Sequence, residues 1–317
     1  MCYNGSCLAQ SSTRRYTSRI QGRNRVTIKR IGVLAHPMRA QSAPVAERIA
    51  STLKTVGLDV WHYSQWDDED VQREITGTDM VVAIGGDGAM LRAGRVCAPY
   101  GVPVLGVNMG HLGFLTEIQR PEDWEATLVA LQAGRYWIEE RMMIAVTARH
   151  DEQVLGQSDA LNDVVISRGA VTRLIHLETY IDHDWTTSYN ADALIIATAT
   201  GSTAYALASG GPILPPELRN ILVVPVAPHL SLDRSIILPE GAVIDVIVTP
   251  DRQSEIVLSA DGIPMCDLCS GDHISVQASR HVSRFIRLRE RTYFYRSLLD
   301  RLEPRPTEPS TPVRKQL

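Results

Sequence analysis

Between Ile31 and Val107 short apolar runs alternate with helical stripes, and beyond Trp137 the helical stripes almost vanish. Strands are predicted at Ile31–Ala35, Leu58–His62, Met80–Ile84 and Pro103–Val107. Helices fall between them: Ala43–Val56, with Val45, Ile49, Leu53 and Val56 on one stripe, and Ala89–Cys97. The acidic stretch Asp67–Asp70 reads as a loop closing the second strand. Short buried strands interleaved with helices predict an α/β domain whose parallel sheet is covered on both faces.

A helix over Glu122–Leu131 precedes the change of pattern. From there strands are expected at Met142–Ala148, Leu161–Ser167, Leu174–Asp182, Ala193–Thr198, Ile221–Val226, Ala242–Thr249, Ile256–Ala260 and His273–Ala278. Asp261-Gly262 and Gly271-Asp272 supply turn signals, so the second domain is β-rich. Phe285–Leu302 is apolar-periodic and charged, a surface helix or a strand followed by a helix. The expected boundaries are a disordered basic tail at 1–25, an α/β domain at 26–135, a β-rich domain at 136–280, a closing segment at 281–302 and a disordered Pro-rich tail at 303–317.

The net charge of −4 conceals an asymmetry. Seven Lys or Arg and no acid occupy residues 1–30, leaving 25 basic against 36 acidic residues beyond them. So acidic a body argues against tracking a nucleic-acid backbone. Any phosphate must be handled locally. No run approaches the roughly 18 apolar residues of a membrane helix. Five irregularly spaced cysteines argue against a disulfide framework and for a reducing, cytoplasmic setting, with organellar targeting by the basic N-terminus left open. Cys266-x-x-Cys269 is half of a zinc pattern that His273 and Cys97 would have to complete.

Ile84-Gly85-Gly86-Asp87-Gly88 follows an apolar strand and opens a helix, the setting in which backbone N–H groups grip phosphates. No Gly-Lys-Ser/Thr ending follows, which excludes a P-loop, and Leu91 stands where a dinucleotide fingerprint needs Gly or Ala. A carboxylate here repels a bound phosphate by about 4 kcal/mol at 4 Å and an effective dielectric near 20. Asp87 is tolerable if a divalent cation intervenes or if it faces a hydroxyl. Both belong to phosphoryl transfer, with Asp87 orienting and deprotonating an acceptor alcohol. The plainer alternative is a tight turn with Asp87 as helix N-cap.

A second cluster runs from Tyr189 to Tyr205, where a strand ends in Thr198, Thr200, Ser202 and Thr203 around Gly201. Hydroxyls and free N–H groups at such a strand end suit a polar ligand, and a Ser/Thr-rich helix cap would look the same. Asn162 and Asp163 offer groups suited to adenine edges and ribose hydroxyls, although a turn before a strand accounts for them equally.

In this order, these motifs resemble the NAD kinase family. The matching elements are Gly85–Gly88, Gly106–Glu117, Asn162-Asp163, Asp192–Gly211, Val224–His229 and Ser259–Gly262, over roughly Ile31 to Leu302. The Gly-Gly-Asp-Gly element alone is shared with diacylglycerol, sphingosine and phosphofructo-kinases; the Asn108–Glu117 and Thr200–Tyr205 blocks are more specific. The resemblance implies a Rossmann-like α/β domain, a β-rich domain and a chain end returning to the first. It implies ATP- or polyphosphate-dependent phosphorylation of the adenosine-ribose 2′-hydroxyl of NAD to give NADP. Mg²⁺ or another divalent ion would be held through phosphates, with no dedicated protein ligands. Asp87 becomes the proton acceptor, and Gly85, Gly86 and Gly88 carry the donor phosphates. Asp87, Gly88, Arg92, Asn162, Asp163, Arg173, Asn190, Asp192, Thr203, Ala204 and Tyr205 would contact NAD. A homodimer or homotetramer is also implied, with no nucleic-acid or membrane partner.

The chain departs from the family pattern at four points: Asp163 for the usual Glu, Ala199 for Pro, Ala208 for Ser and Ile263 for Gln. Two rivals follow: a kinase of another alcohol sharing the glycine loop, and a dinucleotide sensor without turnover.

Overall fold

Four strands of the first half lie parallel, Asp59–Tyr63, Arg30–Leu34, Met80–Gly85 and Val104–Asn108 in that order across the sheet. The computed structural model describes residues 28–110, 113–169, 173–249 and 255–302, and the tails expected at 1–25 and 303–317 lie outside the described residues. The first elements are β1 (Arg30–Leu34), α1 (Ser42–Thr55), β2 (Asp59–Tyr63), α2 (Asp68–Glu74), β3 (Met80–Gly85), α3 (Asp87–Cys97), β4 (Val104–Asn108) and α4 (Trp124–Gln132). Alternation along β3 explains its unbroken apolar run. Met80, Val82 and Ile84 pack with Ile49 and Leu53 of α1, while Val81 and Ala83 pack with Met90 and Ala93 of α3.

The loop expected at Asp67–Asp70 is instead the start of α2. The Asp67 carboxylate accepts the Asp70 N–H and the Asp70 carboxylate accepts the Asp67 N–H, each at 2.9 Å. That reciprocal box satisfies two otherwise orphaned donors, and acids in a first turn suit the helix dipole.

The second half comprises β5 (Trp137–His150), β6 (Gln153–Ala160), β7 (Asp163–Arg168), β8 (Ile175–Ile181), β9 (Asp184–Ala191), β10 (Ala193–Thr198), α5 (Tyr205–Ala208), β11 (Asn220–Val226), β12 (Ile236–Pro239), β13 (Ile244–Val248), β14 (Ile256–Ala260), β15 (Ile263–Leu268), β16 (His273–Arg287) and α6 (Tyr293–Leu302). One sheet is antiparallel, ordered β12-β11-β10-β7-β14-β15. It packs against the far part of the large sheet over a core that includes Ile144, Val146, Ile166, Ile175, Leu194, Ile196 and Val276.

Strand β16 binds the halves together. Its first residues pair with β13, Phe285 pairs with Val104 of β4, and β5 runs antiparallel along its length. The β5 ladder is interrupted by a register shift between Ala278 and Val282. Phe285–Leu302 is therefore the end of a strand and then a helix, the second of the two forms expected.

Candidate active site

The loop after β3 is as short as a strand-to-helix turn allows: Gly85 ends the strand, Gly86 is the N-cap and Asp87 is already helical. A Cβ on Gly85 would meet the Ala89 Cβ at 2.6 Å, so the tight entry of α3 requires glycine there. At Gly86 and Gly88 nothing stands within 4 Å of such an atom, which leaves an open floor. The Ala89 and Met90 amides donate to the Gly86 carbonyl at 3.0 and 3.2 Å, closing the first turn of α3, and a helix N-terminus in this position favours an anion.

Asp87 is the first helical residue, and the N-cap position belongs to Gly86. Its carboxylate reaches across to the second glycine block, where Oδ2 accepts the Phe114 N–H at 2.8 Å and Oδ1 accepts the Leu115 N–H at 3.0 Å. A Cβ on Gly113 would fall 1.7 Å from Oδ1, so glycine is what lets this backbone lie against the acid. The N-cap alternative is excluded.

Around this loop stand three basic side chains. Arg92 of α3 donates to Asp68 at 3.1 Å and stacks 4.1 Å over the Trp66 ring. His36 packs on Gly85, 3.1 Å from where its Cβ would be, and the Arg39 guanidinium lies 3.7 Å from the corresponding position on Gly110. Burial, with Arg39 and Arg92 adding to it, holds the His36 imidazole below its ordinary value.

The Asn162-Asp163 turn is built by Asp261. The Asp261 carboxylate accepts the N–H groups of Leu161 at 2.9 Å, Asn162 at 2.7 Å and Asp163 at 3.3 Å, and its own N–H donates to the Asp163 carbonyl at 2.9 Å. Asp163 is 6% exposed, and burial, with the Asp261 carboxylate, pushes its pKa up to about 7. Gly201 presses on this turn, its Cβ position 2.1 Å from the Asn162 carbonyl oxygen. Leu161 shares a core cluster with Ala89 and Met90, so the turn lies beside α3 and the glycine loop.

The four hydroxyls of the second cluster are taken up internally. Thr198 donates to the Leu161 carbonyl, Ser202 to that of Ala199 and Thr203 to that of Thr200, while Thr200 accepts from Arg141 at 3.2 Å. These bonds shape the segment from within. Backbone at Thr203 and Ala204 and the exposed Tyr205 ring remain as its contact surface.

A buried ion network joins the two motif groups. Arg287 donates to the Leu115 carbonyl at 2.8 Å and the Phe114 carbonyl at 3.3 Å, behind the amides that hold Asp87. It also pairs with Glu139 at 2.8 Å, and Glu139 pairs with Arg141, the donor to Thr200. Tyr293 of α6 donates to Glu139 at 2.9 Å. Burial opposes the Glu139 charge, but Arg141 and Arg287 outweigh it and hold the carboxyl below its ordinary value.

Family models fit both halves: the ATP-NAD kinase N-terminal domain over residues 33–136 and the ATP-NAD kinase C-terminal domain over residues 161–288. The chain belongs to the NAD kinase family. It is 36% identical over 276 residues to the NAD kinase of Dehalococcoides mccartyi strain BAV1, covering 87% of this chain and 96% of that one. Against the NAD kinase of Chloroflexus aggregans it is 37% identical over 275 residues, 87% of this chain and 99% of the relative. Yeast NADH kinase complexed with NADH has the same fold, with a TM-score of 0.77 at 24% identity over 89% of this chain and 90% of that one. An NAD kinase from Archaeoglobus fulgidus in complex with ATP superposes with a TM-score of 0.68 at 25% identity, over 86% and 97%.

Not every residue expected at a dinucleotide site of this NAD kinase family member gathers near Asp87. Asp192 pairs with Arg168 at 2.8 Å, and the Asn190 side chain bonds His176. Both precede β10, whereas Thr203–Tyr205 follow it, and Ala193 and Thr198 alone lie about 17 Å apart at strand spacing. Arg173 is exposed ahead of β8, four strands along the large sheet from β3. Conversely, sequence reasoning missed His36 and Arg39. Their signal was position, since they follow the carboxyl end of a parallel strand, where open α/β sheets bind ligands.

Proposed function

We infer that this chain transfers a phosphoryl group from ATP to the adenosine-ribose 2′-hydroxyl of NAD, giving NADP. The observation that carries this reading is the Asp87 carboxylate, aimed by the Phe114 and Leu115 amides at the rim of an open glycine floor. A carboxylate accepts at about four positions, so these bonds are compatible with receiving an alcohol O–H as well. Phosphoryl transfer is loose, so positioning dominates and Asp87 takes the proton late. The Gly85–Gly88 amides, His36, Arg39 and Arg92 hold the donor phosphates, and Asn162 and Asp163 hold the adenosine part.

Among the described residues, the one set of three ligating side chains close enough for a metal stands elsewhere in the fold. A divalent ion held through the nucleotide phosphates would neutralise their charge, with Asp87 the carboxylate beside them. Incubation with NAD, Mg²⁺ and either ATP or polyphosphate, followed by an enzymatic readout of NADP, tests the reaction and separates the donors. No NADP from either donor would sink it.

The separation of Asn190, Asp192 and Arg173 from Asp87 supports a homodimer or homotetramer in which a second copy brings those residues to the site. Leu230 is 93% exposed and follows His229, whose N–H bonds the Asn190 carbonyl, so an apolar contact surface adjoins them. Sedimentation showing a monomer at working concentration would exclude this arrangement.

A further inference from the structure

The Cys-x-x-Cys pattern singled out in the sequence is not used by the site at Asp87. The structure gives one of its cysteines partners other than the two expected. His273 pairs with Asp245 and Cys97 is buried in the first half, so neither completes a zinc set. Cys269 instead faces His150 and Asp272, and one ligand atom from each lies within 4.8 Å of the others. His150 ends β5, and the other two belong to the turn between β15 and β16.

We propose that His150, Cys269 and Asp272 form a binding site for a divalent cation of the zinc class. The donor set is mixed thiolate, imidazole and carboxylate, which selects zinc-like ions over Mg²⁺. With thiolate and carboxylate charged and imidazole neutral, the ligand charge of −2 matches such an ion. Tetrahedral zinc places sulfur about 3.6 Å from a nitrogen or oxygen ligand, and nitrogen about 3.4 Å from oxygen. Cys269 Sγ lies 3.8 Å from His150 Nδ1 and 3.5 Å from Asp272 Oδ1, close to those values. Nδ1 and Oδ1 are 2.6 Å apart, a hydrogen bond whose proton the cation displaces as the pair opens.

The outer contacts are those that metal ligands use to hold their orientation. Asp272 is fully buried, and its other oxygen accepts the Cys269 N–H at 2.7 Å. His150 turns its second nitrogen, Nε2, toward Asp151 at 4.0 Å. His150 and Cys269 are exposed, so the fourth position is open to water. Cys266 lies outside the set, its sulfur beside Gly156. A bound ion would fasten the end of β5 to the β15–β16 turn.

The test uses the metal-stripped full chain without NAD or ATP, so its outcome is independent of the kinase reading. Co²⁺ titration is expected to give a thiolate-to-cobalt charge-transfer band with tetrahedral d–d intensity, and Zn²⁺ to abolish it. Cys269→Ser should lose the charge-transfer band, and His150→Gln should weaken binding by roughly tenfold or more. A Cys2→Ser/Cys7→Ser variant should keep both signals. Zn²⁺ should raise the melting temperature of the parent and not that of Cys269→Ser. Both variants alter exposed side chains and leave Asp272, which ties the turn, in place. A band that survives Cys269→Ser, or none at a tenfold molar excess of Co²⁺, overturns the proposal.

Discussion

Under the proposed mechanism turnover depends on Asp87. Asn in its place keeps the shape but sets an NH₂ group against one of the two N–H donors and removes the charge. Asp87→Asn should retain NAD binding and lose kcat by roughly 10²–10⁴-fold, the usual range for a general base. Equilibrium binding beside steady-state kinetics checks it, and near-parental kcat would refute the role. Asp163 carries a second consequence. Its folded-state pKa of about 7 exceeds the ordinary 3.8, so between those values the folded chain keeps a proton that the unfolded chain has lost. Stability therefore falls as pH rises from 3.8 toward 7 and is level above. Asp163→Asn abolishes that fall, and urea denaturation should show its advantage over the parent to be largest at about pH 8 and to shrink toward pH 4. Parallel curves would show that Asp163 is not the buried acid responsible. At this scale the sequence showed which residue types matter but not which way they face. Thr198, Thr200, Ser202 and Thr203 read as ligand groups because a hydroxyl at a strand end serves a carbonyl or a substrate equally well. Only the folded chain shows that the carbonyls of Leu161, Ala199 and Thr200 take the hydroxyls of Thr198, Ser202 and Thr203.

Strands β1, β2, β3, β4, β8, β10, β11 and β14 lie at or within a residue of their expected bounds, and those buried on both faces, β3, β4 and β10, read as continuous apolar runs. The unexpected strands β6, β9, β12 and β15 are all edges of their sheets. An edge strand pairs on one side and carries polar residues on its open face, so its pattern merges with that of a loop. The helix α2 escaped notice for a related reason: Val71 is its buried residue, and its stability comes from the Asp67–Asp70 cap. The glycine blocks are a product of element packing too. Gly113→Ala would drive a methyl into the Asp87 carboxylate, which can swing away without unfolding the chain. The expected result is a loss of kcat of about 10²-fold, as for a misplaced catalytic group, with a melting temperature close to the parent's. A fully active Gly113→Ala would show that the Asp87 orientation seen here is not the working one.

Across the whole molecule, two glycine-bearing motifs some 100 residues apart are held in register by buried charges rather than by apolar contact alone. Arg287 and Glu139 are both essentially inaccessible, and the resemblance pointed to neither. A lone Arg near a chain end and a Glu in a strand are ordinary surface residues to any pattern-based reading, and only the crossing of β5 with β16 pairs them. Arg287→Met should destabilise the fold by about 3–5 kcal/mol, because Glu139 then keeps a buried charge with one cation fewer. The Glu139 carboxyl is held below its ordinary 4.5, so its contribution is complete above that value and is lost as pH falls below it. Acid denaturation followed by circular dichroism should therefore begin at higher pH in Arg287→Met than in the parent, and coincident curves would exclude the network as the acid-sensitive link.

The shared ladder of β5 and β16 also restricts how the molecule can admit and release its substrates. Two lobes joined by a flexible tether swing freely, but lobes joined by paired backbone swing only by bending that pairing. The ladder is interrupted where Ala278–Val282 faces Met142–Ile144, so rotation of one lobe against the other concentrates on that short kinked stretch. Entry and exit at the Asp87 side are then expected to leave that paired spine whole.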